Sequence, residues 1–241
     1  MTTFSNSWDN STRAESYANL EFPNTYFLAY RDLPEIIKKH VTGFRALDFG
    51  CGAGRSSRFL KNLGFEVVGI DIAQDMLLKA REFDPNGDYH QVTNGNYDLF
   101  EDETFHLIQS IFTFDNIPKT DTRVRILSSL AKKLKVNGKI IMLDSTPDIY
   151  INEWASFSTT DFPENKLARD GEIVKIVMTD VPDNRPVEDI RYSHEHYWHL
   201  FENSGLTIEE SYKPLGRPGE GIEWKSELEI APWIIYVLKK K

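Results

Sequence analysis

The chain has 241 residues and a mass of 27.8 kDa, which suits one large globular domain or one domain with a small appendage. A hydrophobic fraction of 40% and a charged fraction of 27% exclude a largely disordered chain, and no apolar run reaches the ~18 residues of a membrane span. A net charge of −9 argues against sequence-independent binding to a phosphate backbone. The single cysteine excludes an internal disulfide, and the start lacks the pattern of a signal peptide, so a cytoplasmic location is predicted.

The first forty residues are rich in aromatic side chains and indicate helical turns interrupted at Pro23 and Pro34. From residue 44 onward, short apolar runs alternate with amphipathic stretches. The predicted strands are 44–49, 65–70, 89–93, 105–111 and 139–143, and the predicted helices are 56–63, 73–82 and 120–134. Asn137-Gly138 is expected to form a turn with positive φ ahead of the fifth strand. This alternation predicts a doubly wound α/β sheet, which binds ligands at the carboxyl ends of its parallel strands.

The first predicted strand runs into a glycine-containing loop, Asp48-Phe49-Gly50-Cys51-Gly52-Ala53-Gly54. Glycines let a ligand approach the backbone, and the following helix offers unpaired N–H groups, although a tight turn can need glycine for structure alone. Arg55 stands where the dinucleotide fingerprint has its third glycine, and Asp48 disfavours a pyrophosphate. Asp71 ends the second strand, where a carboxylate can accept from both ribose hydroxyls or can cap the next helix. The two features together indicate an adenosine-containing ligand.

These residues resemble the class I S-adenosylmethionine-dependent methyltransferases. The similarity includes 47–54, 69–77 and 134–139, where Val136 and Asn137 replace a proline and a glycine that the family often has. It covers 44–144 closely and 193–240 in outline. The resemblance implies a Rossmann-like, seven-stranded sheet with six parallel strands and an antiparallel last strand. It also implies S-adenosyl-L-methionine as the cofactor and methyl transfer as the reaction.

The resemblance assigns cofactor-binding roles by position. Asp71 is expected to hold the ribose hydroxyls, Ile72 to face the adenine, and Asp48 to face the amino-acid end. Asn94 is expected to meet the adenine amine, and Tyr17 either closes over the methionine arm or merely packs. The full predicted cofactor-binding set is Tyr17, Asp48, Gly50, Cys51, Gly52, Asp71, Ile72, Met76, Asn94, Gly95, Ser110, Ile111 and Phe112.

The last predicted helix, 195–203, ends at Gly205 and precedes closing strands at 206–212 and 233–238. The connections 145–192 and 213–230 exceed the ~15 residues of ordinary loops, which usually indicates a function. The first connection contains strand-like runs at 172–179 and 187–192. The single domain is therefore divided into an N-terminal helical cap (1–42), a cofactor-binding core (43–144), a substrate lid (145–192) and a closing part (193–241).

Aromatic side chains in the two long connections are expected to roof an apolar acceptor pocket, although each ring could instead pack in the lid's own core. The predicted substrate residues are Tyr150, Trp154, Phe157, Phe162 and Trp224. A walled pocket favours a small molecule as the methyl acceptor over a protruding protein side chain.

A catalytic base is not required, because proximity and alignment can supply much of the acceleration. Asp115 is the first candidate base, with a turn or helix cap as its alternative role, and His194 and His196 are further candidates. No metal site is predicted, since the two histidines cannot share a helix face. A magnesium site formed by Asp144 with Asp115 and Asn116 is the less favoured alternative.

The chain lacks the Asn/Asp-Pro-Pro-Tyr sequence of amino-methylating DNA and RNA enzymes, and its cysteine lies in the glycine loop. The predicted reaction is therefore methyl transfer to an oxygen or nitrogen of a small metabolite. We expect a monomer or homodimer with a small-molecule substrate and with neither a nucleic-acid nor a membrane partner. The alternatives are a catalytically inactive cofactor-binding module and an NAD(P)-dependent oxidoreductase.

Overall fold

A seven-stranded sheet organises the part of the chain that the computed structural model describes, residues 20–92 and 97–241. The strands are β1 (Arg45–Phe49), β2 (Glu66–Asp71), β3 (Asp88–Gln91), β4 (Phe105–Ile111), β5 (Leu134–Ser145), β6 (Phe157–Ser158), β7 (Ile173–Met178), β8 (Val187–Ile190), β9 (Leu206–Tyr212) and β10 (Trp233–Lys240). The main sheet has the order β3-β2-β1-β4-β5-β10-β9, in which β10 is antiparallel to both neighbours. The predicted Rossmann-like fold with an antiparallel last strand is confirmed.

Helices cover both faces of this sheet. They are α1 (Thr25–Arg31), α2 (Leu33–His40), α3 (Arg55–Asn62), α4 (Gln74–Phe83), α5 (Thr120–Lys133) and α6 (His194–Asn203). Alternate residues of each strand point to opposite faces, so Leu107 packs with α1, α2 and α3 while Ile108 packs with α5 and α6. Pro34 lies in the first turn of α2, a position that needs no N–H donor, and the break between α1 and α2 falls at Asp32. None of the helices described here is long and apolar enough to cross a bilayer.

The predicted positive-φ turn at Asn137-Gly138 is wrong. Strand β5 runs through both residues, and neither has a positive φ. The register between β4 and β5 shifts here, because Phe105 pairs with Leu134 whereas Leu107 pairs with Lys139. A Cβ on Gly138 would lie 2.8 Å from the Leu134 side chain and 3.0 Å from the Phe105 carbonyl oxygen. Glycine therefore permits close packing at this bulge.

The connection from β5 to α6 forms a small antiparallel sheet of β6, β7 and β8. The strand-like runs at 172–179 and 187–192 are thus confirmed as β7 and β8. Ile176 and Met178 of β7 belong to the same apolar cluster as Tyr26 of α1 and Trp233 of β10. The small sheet consequently packs onto the N-terminal helices and the start of the last strand.

A buried carboxylate, Glu227, joins three separate segments. Its Oε1 accepts hydrogen bonds from the Thr25 hydroxyl at 2.5 Å and the Ala155 N–H at 2.7 Å. Its Oε2 accepts from the Lys225 N–H at 2.9 Å. Glu227 has no solvent exposure, so these donors replace the water that a carboxylate would otherwise bind. The 213–230 connection is thereby attached to α1 and to the segment that carries the small sheet.

We predict that Glu227→Ala lowers the free energy of unfolding by roughly 2–4 kcal/mol, because buried donors lose their acceptor. Glu227→Gln keeps the shape and one acceptor oxygen, so its effect should be smaller. The matched control is Glu229→Ala, because Glu229 is exposed. This substitution should change the free energy of unfolding by less than about 0.5 kcal/mol. Urea denaturation measures all three, and an unchanged midpoint for Glu227→Ala would contradict this role.

Candidate active site

The loop between β1 and α3 is hydrogen-bonded onto the end of β2. The Gly50 N–H donates to the Ile70 carbonyl oxygen at 2.8 Å, and the Gly52 N–H donates to Asp71 Oδ2 at 2.8 Å. The other carboxylate oxygen, Asp71 Oδ1, accepts from the Ala73 N–H at 2.8 Å. Asp71 therefore fixes both the glycine loop and the chain that enters α4.

Two glycines of this loop keep the backbone open on its outer side. Gly50 has a φ of 73° and Gly52 a φ of 53°, values that side-chain-bearing residues rarely adopt. A Cβ on Gly50 would come within 2.2 Å of Thr113 Oγ1, and one on Gly52 within 3.0 Å of the Met76 methyl carbon. Any side chain here would thus fill the space beside the loop.

A cavity of about 1090 Å³ opens beside the loop, at the carboxyl ends of β1, β2 and β4. The predicted cofactor-binding residues on its wall are Gly50, Gly52, Asp71, Ile72, Met76, Ile111 and Phe112. Ile72 is 59% exposed, so an apolar side chain is presented to this space. Wall residues that the sequence analysis missed include Phe49, Ala73, Val92, Tyr97, Thr113, Asn116, Ile117 and Pro118, together with residues of α5.

Three predicted cofactor-binding residues lie behind the cavity wall. Asp48 is fully buried, and its Oδ2 accepts from the Ser56 and Ser57 hydroxyls at 2.6 Å each. Cys51 packs against α4, and Ser110 is buried within β4. Asp48 bonds to the start of α3 and is absent from the wall of the cavity, so its contact with a cofactor stays a prediction. The predicted residues Tyr17, Asn94 and Gly95 lie outside the described residues.

A second cavity of about 50 Å³ adjoins the first, with Phe112 and Asn116 in the walls of both. Phe112 has a φ of 57°, a left-handed conformation that is strained for an aromatic residue. The wall is built from α1, the end of β4, the small sheet and the start of β10. Its residues are Tyr26, Phe112, Asp115, Asn116, Ser145, Ile149, Phe157, Ile176, Met178, Val187, Asp189 and Trp233.

Two carboxylates reach this second cavity. Asp115 is buried and accepts from the Ser145 N–H at 3.1 Å and from the Tyr197 hydroxyl at 3.3 Å. Asp189 Oδ2 accepts from the Tyr150 hydroxyl at 3.3 Å. Burial raises the pKa of Asp115, and burial together with the negative charge of Asp115 raises the pKa of Asp189 to about 8. Loss of water thus makes both groups ready to hold a proton.

The aromatic roof differs from the predicted one. Phe157 lines the second cavity, and Tyr150 reaches it through its hydrogen bond to Asp189. Trp154, Phe162 and Trp224 are absent from the wall of either cavity. Trp154 is fully buried and donates to a backbone carbonyl, whereas Trp224 packs against Gly216.

Tyr26 and Trp233 are the aromatic wall residues that sequence reasoning missed. The topology offered a signal for Trp233, because an antiparallel last strand begins at the carboxyl edge of the sheet. The parallel strands end at that same edge. For Tyr26, no such signal existed.

The two candidate histidines lie away from both cavities. His194 Nδ1 is 3.0 Å from the Tyr236 hydroxyl, and His196 stacks on Tyr192 with ring centroids 4.1 Å apart. Both belong to α6, which packs on the face of the sheet opposite to α1. Of the acid–base candidates, Asp115 is the one on a cavity wall. Within residues 20–92 and 97–241, no group of three His, Cys, Asp or Glu side chains is arranged to hold a metal ion.

Comparison with known proteins matches this architecture to one family. A methyltransferase-domain family model matches residues 47–142, which include the glycine loop and Asp71. The chain is 22% identical to N-demethylindolmycin N-methyltransferase of Streptomyces griseus over 88% of its own length and 93% of that enzyme. Residues 47–142 form a domain of the class I S-adenosylmethionine-dependent methyltransferase family. The protein is an enzyme whose cofactor is S-adenosylmethionine.

Further relatives share parts of this methyltransferase. It is 28% identical to a ubiquinone biosynthesis O-methyltransferase of Burkholderia cenocepacia, over 46% of this chain and 52% of that enzyme, so this match spans about half of the relative. The structure of an S-adenosylmethionine-dependent methyltransferase from Clostridium acetobutylicum superposes with a TM-score of 0.62 at 15% identity. That superposition covers 97% of this chain and 96% of the other, which shows a common fold.

The residues around the first cavity fit the methyltransferase cofactor. Its volume of about 1090 Å³ lies above the ~300–1,000 Å³ range of small-molecule pockets, so it can hold a nucleoside with an amino-acid arm. Gly50 and Gly52 line the cavity with backbone, and Asp71 supplies a carboxylate acceptor for hydroxyl groups. The exposed Ile72 supplies an apolar face for a base.

We predict that the stability of the folded protein depends on pH through Asp48, because burial raises its pKa to about 6 while hydrogen bonds from Ser56 and Ser57 oppose the shift. The folded methyltransferase keeps the Asp48 proton up to about pH 6, whereas the unfolded chain releases it near pH 3.8. The free energy of unfolding therefore falls as the pH rises between these two values. Asp48→Asn removes the titration. The unfolding free energy of wild type relative to Asp48→Asn should therefore drop by about 2 kcal/mol from pH 4 to 6.5, and parallel pH curves would exclude this.

Proposed function

We propose that this enzyme transfers a methyl group to an oxygen or nitrogen atom of a small molecule bound in the second cavity. The observation that carries the proposal is the wall that the two cavities share at Phe112 and Asn116. A cofactor in the first cavity and an acceptor in the second would meet at these two residues, where the transfer requires direct contact between the methyl carbon and the acceptor atom. The strained backbone of Phe112 is consistent with a functional position, because such strain persists where the surroundings hold it.

The cofactor-binding roles follow from the wall of the first cavity. Asp71 would hold the ribose hydroxyls, since a carboxylate oxygen that accepts one backbone N–H can accept a further hydrogen bond. Ile72 would lie against the adenine, and Ile111 and Phe112 would line the methionine arm. When bound, S-adenosylmethionine supplies a methyl group on a positively charged sulfur, and the sulfur keeps the bonding electron pair when the acceptor takes the methyl carbon.

The chain's own residues contribute orientation, exclusion of water and a proton acceptor. Enclosure between α1, the small sheet and β10 would hold the acceptor in one orientation, and alignment of this kind can supply much of a rate acceleration. Asp115 and Asp189 lie on the wall and would take the proton that an acceptor loses. These carboxylates replace His194 and His196 as the candidate bases.

A small molecule is favoured as the acceptor for two reasons. The second cavity is walled by β7 and β8 residues such as Ile176 and Val187, which leaves little room for a protein segment. The relatives from Streptomyces griseus and Burkholderia cenocepacia carry the names of an N-methyltransferase and an O-methyltransferase of small-molecule metabolism. Both observations support an oxygen or nitrogen acceptor on a metabolite.

We predict that Asp71→Ala weakens binding of S-adenosylhomocysteine by about ten-fold or more, because charge-assisted hydrogen bonds of roughly 1.5–3 kcal/mol are lost. Calorimetry measures the affinity, and thermal melting verifies that each variant is folded. The matched control is Asp75→Ala, since Asp75 is exposed in the first turn of α4 and lies off the cavity wall. Equal affinities of wild type and folded Asp71→Ala would remove Asp71 from the site.

We also predict that the enzyme consumes S-adenosylmethionine when a suitable methyl acceptor is present. Incubation of the enzyme with S-adenosylmethionine and a fractionated metabolite extract should release S-adenosylhomocysteine, above the amount formed without extract. Mass spectrometry of the active fraction should reveal a metabolite heavier by one methylene. A wild-type protein that binds the cofactor but releases no product with any fraction would contradict the small-molecule proposal.

A further inference from the structure

The polar groups around the second cavity are mainly hydrogen-bond acceptors. Asp115 and Asp189 present carboxylates. The carbonyl oxygen of Asn116 is buried and has no hydrogen-bond partner among the described residues, while its amide donates to the Phe112 carbonyl at 3.3 Å. Ser145 adds a hydroxyl, which can donate or accept. A ligand that forms hydrogen bonds with these acceptor groups must therefore provide the hydrogen-bond donors.

The two carboxylates repel one another, as the raised pKa of Asp189 beside Asp115 shows. No Lys, Arg or His of residues 20–92 and 97–241 forms an ion pair within 4.0 Å of Asp115 or Asp189. The buried Arg123 guanidinium of α5 donates to the carbonyl oxygens of Phe114 and Ile117, and its positive charge opposes the raised pKa of Asp115 without forming an ion pair with it. A positive charge in the cavity would relieve this repulsion.

Four aromatic rings also line this cavity. Phe112 and Trp233 have ring centroids 4.7 Å apart, and Phe157 and Trp233 5.7 Å apart. Tyr26 completes the set, 5.1 Å from Phe157 and 5.8 Å from Phe112. Its hydroxyl donates to Met178 Sδ at 3.4 Å, and the Arg55 guanidinium already lies 5.3 Å from the centroid of its ring. Aromatic faces attract cations, and tryptophan does so most strongly.

We propose that the methyl acceptor is the nitrogen of a small amine, bound as its ammonium form between Asp115, Asp189 and this four-ring wall. The inference rests on the proposed function, whose second cavity it assigns to a substrate class. An ammonium brings up to three donors and a positive charge, which match the acceptor groups, the carboxylates and the rings together. A volume of about 50 Å³ holds roughly three to five water-sized groups, which suits an amine head group.

The carboxylates can also accept the proton that an ammonium nitrogen must lose before it can be methylated. An ammonium nitrogen has no free electron pair, so it must release one proton before it can accept a methyl group. Transfer of that proton to Asp189 leaves a neutral amine with its lone pair and a neutral carboxylic acid. A carboxylate whose pKa stands at about 8 is well matched to a proton from an ammonium group.

The test compares amines with alcohols of the same shape. Ligand-observed NMR titrations use methylamine, ethylamine and propylamine, which are small enough for this cavity, against methanol, ethanol and 1-propanol, with and without saturating S-adenosylhomocysteine. We expect at least one amine to bind about ten-fold or more tightly than its alcohol partner. Asp189→Asn should reduce that preference to about two-fold or less while S-adenosylhomocysteine affinity stays unchanged.

Glu188→Gln is the matched control. Glu188 neighbours Asp189 on β8 but alternates to the other side of the strand, where it lies 3.7 Å from the Lys175 ammonium and off the cavity wall. This variant removes the same charge and should keep the amine preference. Equal binding of every amine and its alcohol, or an amine preference that survives in Asp189→Asn, would overturn the proposal.

The arms without and with S-adenosylhomocysteine separate the two proposals. Failure to bind S-adenosylhomocysteine contradicts the proposed function, while an Asp189-dependent amine preference in the same protein would still uphold the amine site. Conversely, S-adenosylhomocysteine binding without any amine preference leaves the methyltransferase proposal intact and overturns the amine class.

Discussion

The hydrogen bonds that the Asp71 carboxylate accepts from the backbone of Gly52 and Ala73 position the rest of the cofactor site. Parallel pairing of β1 with β2 places Phe49 opposite Ile70, so the glycine loop and Asp71 leave adjacent strands at the same edge. Pairing of β1 with β4 then places the end of β4 on the other side of the loop. One local set of bonds therefore brings three strand ends around one cavity.

The two cavities differ in how the chain builds them. The first is formed largely within residues 47–142, the span that the methyltransferase family model covers. The second draws on α1, the small sheet and β10, which lie outside that span, and meets the first at Phe112 and Asn116. Under the proposed function, the cofactor would be held by the span that the family model covers, and the acceptor by segments outside that span. Such a division allows substrate choice to vary without loss of cofactor binding.

Local patterns predicted the fold, since β4 and β9 match their expected bounds. They also brought together the glycine loop and Asp71, which lie on the wall of the first cavity. The features that local patterns did not predict depend on packing between segments that are far apart in the sequence. The Asn137-Gly138 pair, typical of a turn, lies in a strand because Leu134 packs over Gly138. Tyr26 and Asp189 reach the second cavity through the contact of α1 with the small sheet, which no local pattern records.

The most direct measurement of the arrangement is a crystal structure with S-adenosylhomocysteine bound. We expect the ribose hydroxyls within hydrogen-bonding distance of Asp71 and the thioether sulfur beside the Phe112 and Asn116 wall, facing the second cavity. A ribose beyond the reach of Asp71, or a sulfur turned toward α5 and away from that wall, would contradict the assignment of cofactor and acceptor to two adjoining cavities.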